Sequence, residues 1–368
     1  MKICSFFPAF RVGTLVAVAL VATQVALATP HYEVVQIGNL PGTSKGNVVA
    51  INNNNVVAGN SFAGNEIQMF RWSEANGMSS SGFPHHDRII ANDINDAGQI
   101  VGLSYLGGMQ GMRHEPGLMI GFAPAPGHVY SRGLGINNLG QMVGTSVTNQ
   151  GVEMAARFPG GWGELLPNYG PQENSAARRI NDAGDAVGHT DLAGTNRAAL
   201  FRSNNTLVDL HAMLAGSIYS RAMDINDSGR IIGFTTNNAS FTQGFLINFE
   251  SGVTTIDPLS GHDFLYLDAI NATGQIVGTS KRSSGSASDA VIWDSTLGLT
   301  PLNTLIDPNS GWELRQATGI NNNGYIVGMG TFQGVETNFL LKPVPEPGTM
   351  LALGLGLVAL ARRKKTRV

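Results

Sequence analysis

The sequence predicts an all-β chain: a seven-bladed β-propeller of ~45-residue four-stranded repeats closed by an N-terminal strand, with an open β-solenoid as the alternative. Three observations predict it. Ile-Asn recurs seven times, from Ile51, Ile94, Ile136, Ile180, Ile225, Ile270 and Ile320, with spacings of 43, 42, 44, 45, 45 and 50 residues. Each period carries enough short apolar patches for about four strands, the size of one propeller blade. An orphan strand-like segment, YEVVQIGNL from Tyr32, precedes the first repeat.

The repeat template reads Ile-Asn-[Asn/Asp]-x-Gly-x-[Ile/Val]-[Val/Ile]-Gly, as in INDAGQIVG from Ile94 and INNNGYIVG from Ile320. Asn and Asp bond their own backbone in turns, and glycine accepts a positive φ, so the template marks a short hairpin loop. The first glycine stands at 98, 140, 184, 229, 274 and 324, and the remaining copy has Asn55, the next most tolerant residue. The second glycine is present in all seven copies (59, 102, 144, 188, 233, 278, 328) and points to a bulge or a close backbone approach between neighbouring units. A third strand follows at MFRW from Met69, AARF from Ala155, AALF from Ala199, GFLI from Gly244, AVIW from Ala290 and NFLL from Asn338. A fourth follows in several copies, as in LVDL from Leu207. The last repeat has none before Pro343, and the segment from Tyr32 is the strand that would complete it and remove the exposed edge.

The two ends read as processing signals. Lys2 and Arg11 lead into an apolar run, Val12 to Ala22, and Ala26–Ala28 gives the small-x-small pattern of signal-peptide cleavage. Residues 1–28 are therefore expected to be a signal peptide, 31–342 the repeat domain and 343–368 a separate terminal segment. The only cysteine, Cys4, lies in the signal peptide, so the mature chain would hold no thiol or disulfide. At the other end, fourteen uncharged residues run from Gly348 to Ala361, too few for a comfortable membrane span, and Arg362, Arg363, Lys364, Lys365 and Arg367 follow. Such a basic flank is expected to stay cytoplasmic.

Val344-Pro345-Glu346-Pro347, the short Leu/Gly-rich segment and the terminal Arg/Lys cluster together closely resemble the PEP-CTERM sorting signal of Gram-negative bacteria. The resemblance implies processing by an exosortase, a membrane cysteine transpeptidase, after transient anchoring through the C-terminal segment. The hairpin template also resembles the HAF-repeat family of extracellular bacterial proteins, although no literal His-Ala-Phe occurs. Signal peptidase and exosortase are thus the expected processing partners, and the cell surface or extracellular space the expected location.

Charge and motifs narrow the function. Between residues 29 and 361 there are 16 Lys+Arg against 26 Asp+Glu, a poor match to phosphate backbones, so no nucleic-acid partner is expected. The loops DINDAG from Asp93 and DINDSG from Asp224 resemble acidic metal loops, but the fifth position is Ala97, Leu139, Ala183, Ser228, Thr273 or Asn323 in six copies and the first is acidic only in these two, so structural turns fit better. No cofactor is expected, and no Gly-x-Ser-x-Gly, His-Glu-x-x-His or phosphate-loop motif occurs. His85, His86, Asp87, His128, His211, His262 and Asp263 fall in the connections between blades, on one face, where they could bind a metal or do acid–base work. Exposed loops also carry such residues without function, and no two blades repeat the constellation. Charged residues are 13% of the chain, leaving a surface rich in uncharged hydrogen-bonding groups and suited to polysaccharide. The reading is a non-enzymatic binding or structural module of the cell envelope or extracellular polysaccharide matrix. The alternative is a propeller hydrolase or lyase acting on polysaccharide.

Overall fold

The computed structural model describes residues 31–80, 88–105, 108–238, 241–283 and 288–344. Among them the secondary structure is β-strand, apart from 3-10 turns at His211–Met213 and Leu302–Leu305. Five four-stranded antiparallel sheets stand alone, and an eight-stranded sheet holds two further four-stranded units joined by one parallel pair, Thr242 with Phe264. No sheet closes on itself as a barrel among the described residues. In chain order the units cover 45–80, 89–122, 130–165, 175–209, 219–256, 264–301 and 312–344, and are called units 1 to 7 below.

Unit 7 supplies three strands of its own, and its fourth is His31–Gln36, antiparallel to Val335–Val344. Val34 stands opposite Leu341 and Val35 opposite Leu340. The orphan segment therefore pairs where its sequence suggests. Its burial differs from a simple alternation, because Tyr32, Ile37 and Leu40 are buried while Val34 and Val35 are only partly so.

The Asn-x-x-Gly loops fold as the residue types dictate. The first template glycine has φ between +75° and +89° in its six copies, and Asn55 takes φ +58° in the seventh. The second glycine meets a different constraint. A Cβ on Gly102 would lie 1.8 Å from the Ile90 carbonyl oxygen, and one on Gly188 would lie 1.9 Å from that of Ala176. The close approach is thus within each unit's own hairpin rather than between units. Opposite it, every first strand carries a register shift, as between Ala91 and Asp93 or Ala177 and Arg179, which bends the strand and re-aims the residue in between.

The core lies between units. Val327 and Leu340 of unit 7 pack with Val48, Val57 and Phe70 of unit 1, and six further clusters occupy the other interfaces between neighbours. The first strands of successive units touch, and that of unit 1 touches unit 7, so the units form a ring. A single sheet has no core of its own to retain.

A second interaction joins the same interfaces. In each repeat the Ile-Asn asparagine is at most 7% exposed. Its Oδ1 accepts from the backbone N–H four residues on, at 2.8–3.0 Å. Its Nδ2 donates to the backbone carbonyl of the next repeat's asparagine: Asn52 to Asn95, then to Asn137, Asn181, Asn226, Asn271, Asn321 and back to Asn52, at 2.9–3.3 Å. The circuit closes.

Inside it, the first strands line a cavity of about 180 Å³. Asp93 Oδ1 accepts from its neighbour Ile94 and Oδ2 from Ile136 of the next unit, and Asp224 bonds Ile225 and Ile270 in the same way. Arg179 reaches back to the carbonyls of Leu134 and Asn92. Burial pushes Asp268 up to about 7 and Asp224 up to about 6, against the downward pull of Arg178 and Arg179 on the first and Arg179 on the second.

Three outcomes follow from this packing. Asn137→Ala should leave the Gln141 N–H without its acceptor and take from the Asn181 carbonyl one of its two donors, the Gly184 N–H remaining, at about 1–3 kcal/mol in all, while Asn138→Ala at the exposed neighbouring position should cost under about 0.5 kcal/mol. Chemical denaturation measures both, and equal losses would remove the ring's special role. Deleting residues 31–40 should lower Tm sharply and promote association by baring the edge of Val335–Val344. An unchanged Tm would mean that this pairing does not matter. Because Asp268 keeps its proton up to about 7, the folded state binds more protons than the unfolded chain above the ordinary carboxylate range, and stability falls as pH rises through that window. The Tm of Asp268→Asn minus that of the parent should therefore increase from about pH 4 to about pH 8. A difference that does not vary with pH would show that Asp268 is not desolvated.

Candidate functional site

The residues singled out in the inter-unit connections do not share one setting. His85, His86 and Asp87 lie outside the described residues, as do Pro345, Glu346 and Pro347, while Val344 ends the last strand. His211 and His262 are buried, and each Nδ1 faces a buried serine: Ser220 Oγ at 2.7 Å and Ser280 Oγ at 3.0 Å. Those serines also accept backbone N–H groups, from Ala198 and Leu259, so they tie a connection or third strand to a neighbouring strand. His262 Nε2 lies 3.5 Å from Asp289 Oδ2. Burial and the Arg197 charge hold His211 below the usual imidazole range. Asp263 accepts from the Ser283 N–H and hydroxyl, both at 2.7 Å, which hold its carboxyl below the ordinary value. His128 sits in the turn before unit 3, its Nδ1 buried without a hydrogen bond. No group of three His, Cys, Asp or Glu that could hold a metal ion occurs among the described residues.

A more concentrated arrangement lies between units 3, 4 and 5, at the strand ends away from the Ile-Asn turns. A cleft of about 470 Å³ is lined there by Arg132, Arg178, Arg221, His189, Asp191 and Asn196 among others. The three arginines sit on the first strands of three consecutive units, and Arg178 occupies the register shift of its strand. Arg132 pairs with Glu153 at 2.5 Å. Arg221 donates from Nε to Asn196 Oδ1 at 2.6 Å and lies over the Tyr219 ring, 5.5 Å from its centroid. Asp191 accepts from Asn196 and Asn174.

Arg178 differs from these. Its guanidinium makes no hydrogen bond or ion pair with any described residue. Burial, with Arg179 and Arg221 nearby, brings it down to about 10 against the upward pull of Asp268 and Tyr219, so it remains a cation at neutral pH. Burial and the charges of Arg221 and Arg178 press His189 down to about 3, leaving a neutral imidazole whose Nδ1 is buried without a partner. The arrangement offers positive charge to an anion, with Asn, Asp and Glu oxygens and amides beside it. Nothing in it resembles a nucleophile with its base.

Sequence reasoning passed over this cleft, although a signal was available. At the position three before the template asparagine the repeats carry Val49, Asn92, Leu134, Arg178, Met223, Asp268 and Thr318, and only unit 4 puts a cation there. His189 likewise follows a template glycine that Asn60, Leu103, Thr145, Phe234, Thr279 and Met329 follow elsewhere.

Comparison with solved structures finds a streptogramin B lyase at 9% identity and TM-score 0.50, covering 85% of this chain and 98% of the other. A virginiamycin B lyase from Staphylococcus aureus matches at 9% identity and TM-score 0.50, over 86% of this chain and 100% of the other. A Mycobacterium tuberculosis puromycin-hydrolyzing peptidase matches at 10% identity and TM-score 0.50, over 80% of this chain and 53% of the other. At such identities the likeness shows the fold alone, an all-β architecture of the β-propeller kind. A search of curated proteins finds no match. No helix among the described residues is long and apolar enough to cross a membrane. Residues 343–365 match the PEP-CTERM protein-sorting motif, which implies exosortase processing, export and transient anchoring through the C-terminal segment.

Proposed function

We propose that this chain is a seven-bladed β-propeller, closed in its last blade by the strand at 31–36, exported behind a signal peptide at 1–28 and cut by an exosortase within 343–368. In this reading it acts as a non-enzymatic binding module of the cell envelope or extracellular polysaccharide matrix, and its likeness to the HAF repeats belongs to the same proposal. The observation that carries it is the sorting motif at 343–365, which implies exosortase processing and export. The closed asparagine ring supports the seven-bladed closure. The face bearing the inter-blade connections, with His128, His211, His262 and Asp263, would be the binding face, and the arginine cleft opens at the same strand ends. A hydrolase or lyase is the second reading. The solved lyase and peptidase structures suggest it, and at 9–10% identity they carry no activity across.

Two measurements test the proposal. Intact mass of the exported protein should show loss of residues 1–28 and of the basic tail, and an extracellular species retaining Arg362–Arg367 would overturn the sorting reading. The exported protein should also sediment with the insoluble polysaccharide of the producing cells in moderate salt. Recovery wholly in the soluble fraction would overturn the matrix reading.

A further inference from the structure

The cleft between units 3, 4 and 5 carries a cost that the fold does not explain. The His189 Nδ1 is buried there without a hydrogen-bond partner, which is unfavourable by the free energy of the missing bond, and beside it the half-buried Arg178 guanidinium is hydrogen-bonded by no described residue. Two other arginines bond more of their guanidinium to the protein, although the Arg157 Nε is also buried without a partner. Arg157, at the edge of a larger cleft of about 590 Å³, donates through its Nη atoms to the carbonyls of Gly184, Phe201, Arg202 and Ser203. Arg179, one residue from Arg178, bonds three carbonyls and faces Asp93. Arg178 has the Asp268 carboxyl near it but no ion pair or hydrogen bond to a described residue, and Arg132, paired with Glu153, and Arg221 add further positive charge. This happens on a body with ten more acidic than basic residues between positions 29 and 361.

The surroundings narrow the anion. The rim is made of Asn174, Asn196, Asp191, Glu153 and Thr145, donors and acceptors that match hydroxyl groups, and the volume of about 470 Å³ exceeds that of a simple ion. Beside Arg221 begins a row of half-buried aromatic rings running into unit 6: Tyr219, Phe234, Tyr266 and Phe264, with successive centroids 6.0, 5.0 and 6.4 Å apart. Such a row offers a partly apolar surface to a ligand longer than the cleft.

We propose that this cleft binds a carboxylate-bearing sugar of an acidic polysaccharide, with Arg178 and Arg221 taking the carboxylate, the Asn and acidic rim taking ring hydroxyls, and the aromatic row taking the adjoining residues of the strand. This rests on the matrix-binding reading above and deepens it. Arg178 is the residue that selects charge, since a guanidinium recognises a carboxylate through paired N–H donors.

Titration calorimetry on the exported protein tests the assignment with four probes: glucuronate, glucose, inorganic phosphate and an oligoglucuronate. Glucuronate should bind at least tenfold more tightly than glucose. Arg178→Gln should weaken it by about ten- to a hundredfold at unchanged Tm, the loss of one charge-assisted pair. Tyr266→Ala should weaken the oligomer alone. Should Arg178→Gln fail to fold, glucuronate-induced shifts of the His189 ring signals in the parent protein give the same answer, and their absence at saturation counts against the site. Glucose binding as well as glucuronate, parental affinity in Arg178→Gln, or phosphate competing on equal terms would each overturn the assignment. Tyr266→Ala leaving oligomer affinity intact would overturn the polymer assignment. Sedimentation with polysaccharide despite indifference to glucuronate would sink the cleft assignment and leave the matrix reading standing. Glucuronate held by Arg178 in a protein that polysaccharide does not retain would sink the matrix reading alone.

Discussion

The fold depends on one side chain used in two directions. The Ile-Asn asparagine closes its own hairpin through Oδ1 and grips the next unit through Nδ2, so turn formation and unit spacing are set by the same few atoms. Aspartate has the acceptor without the donor, and serine lacks the reach to serve both partners. Because each asparagine is buried, leaving either end unmet is costly, and the demand propagates from unit to unit until Asn321 meets Asn52. The ring fixes how far each sheet sits from the next. The apolar clusters then fill the wedge between them.

The residue after each asparagine forms an outer, weaker circuit. Asn53, Asp96, Asn138 and Asp182 each donate a backbone N–H to the side-chain oxygen at the same position in the next repeat, and Ala272 and Asn322 do the same. The circuit breaks only where Asp227 would need an acceptor on Ala272. These bonds are exposed or partly so, where water replaces a lost partner at little cost, and that is why the outer position varies while the inner one does not. The glycine opposite each bulge works on the same principle of necessity. A Cβ there would sit against a carbonyl oxygen, and in units 1, 5 and 7 against the rings of Phe70, Phe245 and Phe339 as well.

Near the axis, charge is placed with partners almost everywhere. Asp93 and Asp224 each take one N–H from their own unit and one from the next, turning buried carboxylates into staples. His211 and His262 are held by serines that serve the backbone too, which gives these two connection residues a structural task. Against that background the Arg178 guanidinium stands out, since it has Asp268 near it but is hydrogen-bonded by no described residue.

Periodicity carried most of the architecture into view. Seven Ile-Asn copies, glycines at two offsets and an orphan strand before the first repeat implied four-stranded units and the pairing of the chain's two ends, because local turn chemistry and strand alternation are written in adjacent residues. The asparagine's local role was readable for the same reason. Its reach to the next unit was not, since the partner is a backbone carbonyl some 42 to 50 residues away that looks like any other in the sequence. Burial of Tyr32, Ile37 and Leu40, with Val34 and Val35 only partly covered, also depended on what unit 1 and unit 6 bring against that strand. The histidines of the connections looked alike as polar loop residues, yet packing sent His211 and His262 inward to serines that no spacing rule pairs with them. The arginine cleft needed three consecutive units to converge. Arg132, Arg178 and Arg221 lie 46 and 43 residues apart, and only the ring geometry and one strand's bulge make them neighbours.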